Sequence, residues 1–296
     1  MRPARPRAPH RRRDGPRFRP YGSTLPGGGH AGHTTGRKRT GRYGRGVSSE
    51  DVARRLAQVQ ERVAAACAAA GRVTSEVQVL LASKTMDVAT VRAALLADAA
   101  ARAAGSATPP VLLGENRVQE LVAKAPALVD LTPTWHVIGP LQSNKVNAAL
   151  RWAAAVESVA DDALAQRLSA RMQQRDVPLD VWVQVNVSGE ASKHGARPDD
   201  AAELAARVAA LPGLRLAGFM TVGARSDDER VVRAGFARLR GVRDEVVGSG
   251  APGTAGAHGL SMGMSGDLEI AVAEGATVVR VGTAVFGSRP AAEAHG

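Results

Sequence analysis

Eight short apolar, largely β-branched runs recur along this chain, separated by stretches with helical spacing. The runs fall at 77–82, 111–113, 135–138, 155–159, 181–187, 216–221, 259–262 and 278–281. Between them lie Ala/Leu/Arg-rich segments at 88–104, 118–129, 144–152, 163–175, 199–210, 230–247 and 267–274. Strands alternating with helices predict βα units and a parallel sheet, and near-continuous apolar strands suit a sheet covered on both faces. About 240 residues is the ordinary size of a (β/α)8 barrel. The expected fold is therefore α/β, a single TIM-type (β/α)8 barrel. A doubly wound open sheet is the competing architecture, but it usually carries G-x-G-x-x-G after its first strand. Here that turn reads Ser83-Lys84-Thr85.

An extra helix is expected before the first strand. Ser48 or Ser49 with Glu50 and Asp51 opens it, and Gly71 closes it. Everything upstream is different in kind. The chain has 296 residues and a net charge of +11, yet residues 1–47 hold thirteen Lys/Arg and one Asp, a net of +12, leaving −1 for the rest. The basicity belongs to a Pro/Gly/Arg-rich tail without apolar periodicity, expected to be disordered. Domains are accordingly expected at 1–47 (basic tail) and 48–290 (barrel). Weak nucleic-acid binding is a possible role for the tail alone, a bland extension being the alternative. No apolar run approaches the ~18 residues of a membrane span, and no signal-peptide core follows the arginines. One cysteine, Cys67, sits in an Ala-rich helical stretch and reads as packing. The lack of a disulfide set suits a cytoplasmic protein. His136, His194 and His258 are too scattered for metal-ligand spacing.

The stretch 260–289 carries the most chemistry. Its two glycine-bearing loops, 261–266 and Gly282-Thr283, each follow one of the last two strands and lead into a turn or helix. Such turns offer free N–H groups to an anion, and a pair of them forms the usual phosphate site of a barrel. Arg280 lies within an apolar strand, a costly place for a charge without a partner. The other strand ends supply Lys84, Asn116, His136, the 186–189 loop and Met220. Lys84 admits two readings: an amine delivered into the barrel mouth, where desolvation frees it for Schiff-base formation, or a surface lysine paired with a carboxylate such as Glu115. His136 reads as acid/base or as a hydrogen-bonded wall residue. Residues 142–145 meet a ligand or cap a helix, the 186–195 loop is a lid or a solvated loop, and 99–110 and 249–257 look like flexible insertions.

These residues fall in blocks: Ser83-Lys84-Thr85, Gly114-Glu115-Asn116 with Val118-Gln119-Glu120, WHVIGPLQSNK at 135–145, QVNVSGEASKHG at 184–195, Phe219-Met220-Thr221, LSMGMSGD at 260–267 and VRVGTAVFG at 279–287. Blocks and order resemble the pyridoxal-phosphate homeostasis family, stand-alone barrels similar to the N-terminal domain of alanine racemase, over about residues 50–290. The resemblance implies pyridoxal 5′-phosphate (PLP) held as an internal aldimine on Lys84. It implies that Ser265, Gly282 and Thr283 bind the phosphate with Met264 beside them. Arg280 would face the pyridine nitrogen, Asn116 and His136 would line the ring pocket, and Met220 would pack near it. Three positions depart from the family pattern: Asp87 where proline is common, Leu113 where an aromatic is usual, and Glu157 where histidine is common. The expectation is that none touches the attachment point or the phosphate cup.

The resemblance leaves two functional classes. One is a non-catalytic monomeric carrier that stores PLP or delivers it to apo-enzymes; the other is a PLP-dependent racemase or related enzyme. The only tyrosines, Tyr21 and Tyr43, precede the barrel, so the tyrosine base of alanine-racemase chemistry has no counterpart. An arginine at the ring nitrogen donates a hydrogen bond without protonating it, which weakens the electron sink. Both points favour the carrier.

Overall fold

The computed structural model describes residues 47–190 and 193–287. The basic tail and the last residues of the proposed barrel unit lie outside these. The eight strands are β1 (Gln78–Ala82), β2 (Leu112–Glu115), β3 (Trp135–Val137), β4 (Ala153–Val159), β5 (Leu179–Gln184), β6 (Leu214–Met220), β7 (Gly259–Ser261) and β8 (Val278–Val281). They pair in sequence order, all parallel, and β8 closes onto β1 through the register Leu80↔Arg280 and Leu81↔Val281. The fold is the expected (β/α)8 barrel, and the open sheet is ruled out by that closure.

Helix α1 (Ser49–Ala69) precedes β1, and α2 (Val88–Ala103), α3 (Val118–Lys124), α4 (Val146–Ala149), α5 (Asp162–Met172), α6 (Pro198–Ala209), α7 (Glu229–Gly248), α8 (Leu268–Ala273) and α9 (Thr283–Phe286) follow successive strands. Short polar side chains start several of them, as capping predicts. Ser48 accepts from the Asp51 N–H at 3.1 Å, Asp87 from Thr90 at 2.7 Å and Asp161 from Leu164 at 2.8 Å. Asp87, one of the departures from the family pattern, thus serves as the cap of α2. Segment 118–129 is not one helix: after α3 it tightens into a 3₁₀ turn, Ala125–Leu131, at Pro126, which has no N–H for the α-helical ladder. Segment 144–152 likewise begins as a 3₁₀ turn, Ser143–Lys145.

Two apolar layers hold the barrel. The larger lies between strands and helices and takes in Val79, Leu81, Leu113, Phe219, Val279 and Val281 with the inner faces of the helices. The smaller fills the interior with Leu80, Leu112, Trp182, Met220 and Val278. Strand parity produces this split, since alternate residues face opposite sides. Small residues make room for the large ones: a Cβ at Gly259 would stand 2.4 Å from the Trp182 ring, and one at Gly218 would stand 2.1 Å from the Gly259 carbonyl oxygen.

Two segments expected to be flexible insertions are mostly exposed but anchored at single points. Residues 99–103 continue α2, and the buried Asp98 below them accepts from Gln60 at 3.1 Å, Arg102 at 3.0 Å and the Val111 N–H at 3.3 Å. In 249–257, Thr254 and Ala257 are fully buried.

Candidate functional site

The C-terminal ends of the strands form one mouth, where a barrel of this kind gathers its chemistry. Arg280, on β8 and 6 % exposed, donates from Nη1 to the Ser261 hydroxyl at 2.8 Å and from Nη2 to the Thr221 carbonyl at 2.6 Å. Ser261, on neighbouring β7, donates in turn to Glu157 Oε2 at 2.6 Å. The other carboxylate oxygen, Oε1, lies 2.6 Å from His136 Nδ1. A single buried chain therefore runs Arg280, Ser261, Glu157, His136. Each link is a direct contact, and all four residues are at most 7 % exposed.

Burial is the largest single influence on Glu157 and acts to raise its carboxyl pKa. Against it stand the His136 hydrogen bond and charge, the Arg280 charge and the Ser261 hydroxyl, which together hold the group below the ordinary carboxylate range. Burial likewise lowers the Arg280 guanidinium from its usual value, opposed by Glu157 and Asp267. It stays charged at neutral pH, as guanidinium does in proteins. An ionised Glu157 only accepts, so His136 carries its proton on Nδ1 toward it and Nε2 is the ring's remaining nitrogen. Glu157 thereby sets the orientation of the His136 ring.

Glu157 adds to the sequence reading. It was expected to touch neither the attachment point nor the phosphate cup, and no hydrogen bond to Lys84, Ser265, Gly282 or Thr283 is seen among the described residues, but it contacts His136 directly and reaches Arg280 through the Ser261 hydroxyl. The signal was available. A carboxylate inside the apolar run of β4 poses the same problem as a guanidinium inside β8, and the two solve it together.

Beside this chain lies a second group of donors. The Ser265 hydroxyl, in the loop after β7, sits 3.4 Å from the Thr283 hydroxyl and 3.4 Å from the Ala284 N–H, at the start of the short helix α9 that follows β8. Met264 is exposed next to it, with its N–H turned to Asp267. Gly263, at φ 87°, lets the loop turn where a Cβ would press to 2.4 Å from Ala271. Gly282 lies close to β1: a Cβ there would stand 3.4 Å from the Ala82 carbonyl oxygen. Arg62 of α1 braces the same loop, donating to the Ser265 carbonyl at 3.1 Å and to Glu269 at 2.8 Å.

Lys84 stands in the turn just past β1, exposed to solvent. It is not paired with Glu115, the carboxylate named in the surface-lysine reading. Glu115 faces the other way, toward α3, where it takes Lys124 Nζ at 2.7 Å and the Ser83 hydroxyl at 2.8 Å. Asn116, just past β2, is half-buried and lines a cleft of about 370 Å³ with Arg117, Gln119, Pro140, Gln142 and Lys145. The polar cluster at 142–145 thus faces open space and caps no helix through its side chains. Met220 is buried in the interior apolar layer, beneath the polar chain. In the 186–195 loop, Asn186 donates to the Glu190 and Lys193 carbonyls at 2.9 and 3.3 Å, so the described part of the loop is folded on itself.

Comparison with known proteins bears on these residues. Residues 55–290 match the family model described as alanine racemase, N-terminal domain. The chain is 43 % identical over 238 residues to the pyridoxal phosphate homeostasis protein of Pseudomonas aeruginosa, spanning 80 % of this chain and 96 % of that one. It is 37 % identical to the protein of the same name from Aquifex aeolicus, over 79 % and 97 % of the two chains. Among solved structures, PipY of Synechococcus elongatus with PLP bound superposes with a TM-score of 0.65 at 33 % identity, covering 80 % of this chain and all of that one. Alanine racemase of Corynebacterium glutamicum, at 16 % identity and TM-score 0.58, shares the fold.

Proposed function

The chain belongs to the alanine racemase N-terminal domain family and, within it, to the pyridoxal phosphate homeostasis proteins, and on that premise we propose that it binds pyridoxal 5′-phosphate at the barrel mouth and serves the intracellular supply of that cofactor. The observation that carries this reading is the donor set at the ends of β7 and β8. Two hydroxyls and a backbone N–H meet at Ser265, Thr283 and Ala284, where this type of barrel places a phosphate beside a short extra helix. The donor chemistry fits the whole ligand. Ser265, Gly282 and Thr283 would hold the phosphate, with Met264 at its edge. Arg280 has only two of its five N–H donors engaged by Ser261 and Thr221, which leaves donors for a ring nitrogen. Asn116 and His136 would flank the ring above Met220.

Lys84, in the turn just past β1, the strand paired with β8, is the amine we assign to covalent attachment. When bound, the ligand supplies an aldehyde whose carbon condenses with a primary amine, the oxygen leaving as water. An exposed Lys84 is open to an incoming aldehyde, and its desolvation would come with the ring. We assign ligand binding to residues 48–290 of a cytoplasmic monomer, and delivery to PLP-requiring apo-enzymes as its outlet. No helix among the described residues is long and apolar enough to cross a membrane.

One observation favours the racemase-like alternative: the His136–Glu157 pair is a base with an orienting carboxylate. The two readings separate on one preparation. The carrier reading expects a yellow protein, trapped by borohydride on the Lys84 peptide, colourless as Lys84→Ala, and able to pass PLP to an apo-enzyme faster than it releases PLP into buffer. Loss of optical purity in alanine or another amino acid above the rate with free PLP would instead establish an enzyme. A Lys84→Ala protein with an unchanged visible band would overturn the attachment site.

A further inference from the structure

The two residues flanking Lys84 are fastened by one buried ammonium and two carboxylates from outside the barrel mouth. Lys124, on α3 and 7 % exposed, donates to the Ser83 carbonyl at 2.7 Å, to Glu115 Oε1 at 2.7 Å and to Glu120 Oε2 at 3.0 Å. An ammonium has three N–H donors, and these three acceptors account for all of them. Glu115 also accepts from the Ser83 hydroxyl at 2.8 Å, and Glu120 accepts from the Thr85 N–H at 2.7 Å. Thr85 has φ 66°, a left-handed conformation that β-branched residues avoid and that persists only where surroundings impose it. The Glu120 contact to its N–H is such an imposition. Lys84 is therefore the free member of a turn whose neighbours on both sides are held.

We propose that Lys124, Glu115 and Glu120 form a positioning clamp that sets the direction and reach of the Lys84 amine toward an aldehyde seated at the mouth. The proposal rests on the reading that Lys84 is the attachment residue. The clamp touches neither the phosphate donors nor Arg280; its three side chains lie on β2 and α3, on the helix side of the sheet. It acts through Ser83 and Thr85, by restricting where an amine on a long flexible stem can go. An attacking group held in a near-attack geometry reacts far faster than one that must find it.

The experiment compares Glu120→Ala with Glu120→Gln, because glutamine retains an oxygen that can accept from the Thr85 N–H and alanine does not. Two probes are used: PLP, and pyridoxine 5′-phosphate, which has the same ring and phosphate but no aldehyde. The clamp predicts that Glu120→Ala slows formation of the lysine-bound visible chromophore roughly 10–100-fold, the scale on which a misplaced attacking group loses reactivity. Glu120→Gln should recover most of that rate. Binding of pyridoxine 5′-phosphate should match the wild type in both. Unchanged chromophore formation in Glu120→Ala would overturn the clamp. So would a parallel loss of pyridoxine 5′-phosphate binding, which marks general damage to the fold. Failure of the underlying reading looks different: Lys84→Ala would then form the chromophore as the wild type does, whatever Glu120 does.

Discussion

Glu115 and Glu157 are two carboxylates with nearly the same burial and opposite fates. They are 1 % and 0 % exposed, and each stands on a barrel strand beside a cation or a cation relay. Glu157 faces the interior and uses both oxygens, one toward His136 and one toward the Ser261 hydroxyl. Glu115 faces the helices and takes both Lys124 and Ser83 on Oε1, while Oε2 has no hydrogen-bond partner among the described residues. Burial is the largest influence on each and pushes both upward. It prevails at Glu115, whose carboxyl is raised despite Lys124 and Ser83, and is overcome at Glu157. Burial alone therefore does not decide the charge of an interior carboxylate. Each accepts from two donors, so what differs is the surrounding charge: His136 and Arg280 both act to lower Glu157, whereas at Glu115 the lowering charge of Lys124 is opposed by Glu120.

The largest test of that contrast is Glu157→Leu. It leaves the Arg280 guanidinium buried without its negative neighbour and should cost about 3–5 kcal/mol in urea unfolding. Lys124→Met should cost less, about 1–3 kcal/mol, because a Glu115 already raised can take up a proton and shed its charge. If Lys124→Met proves the more damaging, the contrast is inverted. The smallest effect lies in the pH dependence of stability. A folded Glu157 below its unfolded pKa contributes stability that is present above the unfolded value of ~4.3 and is lost as pH falls through the folded value. A folded Glu115 above its unfolded pKa contributes in the opposite sense, fully below ~4.3 and less as pH rises through the folded value. Unfolding free energies measured against pH should thus lose part of their acid limb in Glu157→Gln. In Glu115→Gln they should lose part of the decline above it. Parallel curves for the two variants would dissolve the distinction.

Legibility in the sequence followed the range of the interaction. Ser48 was readable as a helix start because a cap acts over three residues. The Ser265 and Gly282-Thr283 turns were readable because each follows its own strand. Arg280 stood out as a charge within an apolar run, and Glu157 carries the same mark in β4. Its role was missed because its partners are distant: 21 residues to His136 and 104 to Ser261. Lys124 left no mark at all. In VQELVAK a lysine reads as the solvated face of a helix, and only its packing against Ser83, 41 residues earlier, shows otherwise.

Eight strands, their order and the glycine-bearing turns after the last two were thus set by local sequence, since hydrophobic period and turn chemistry are properties of near neighbours. Which charges meet was decided by closure of the barrel. Only when β8 pairs with β1, and α3 packs over the first turn, do Arg280, Glu157 and Lys124 leave water together. Desolvation then makes their partners matter.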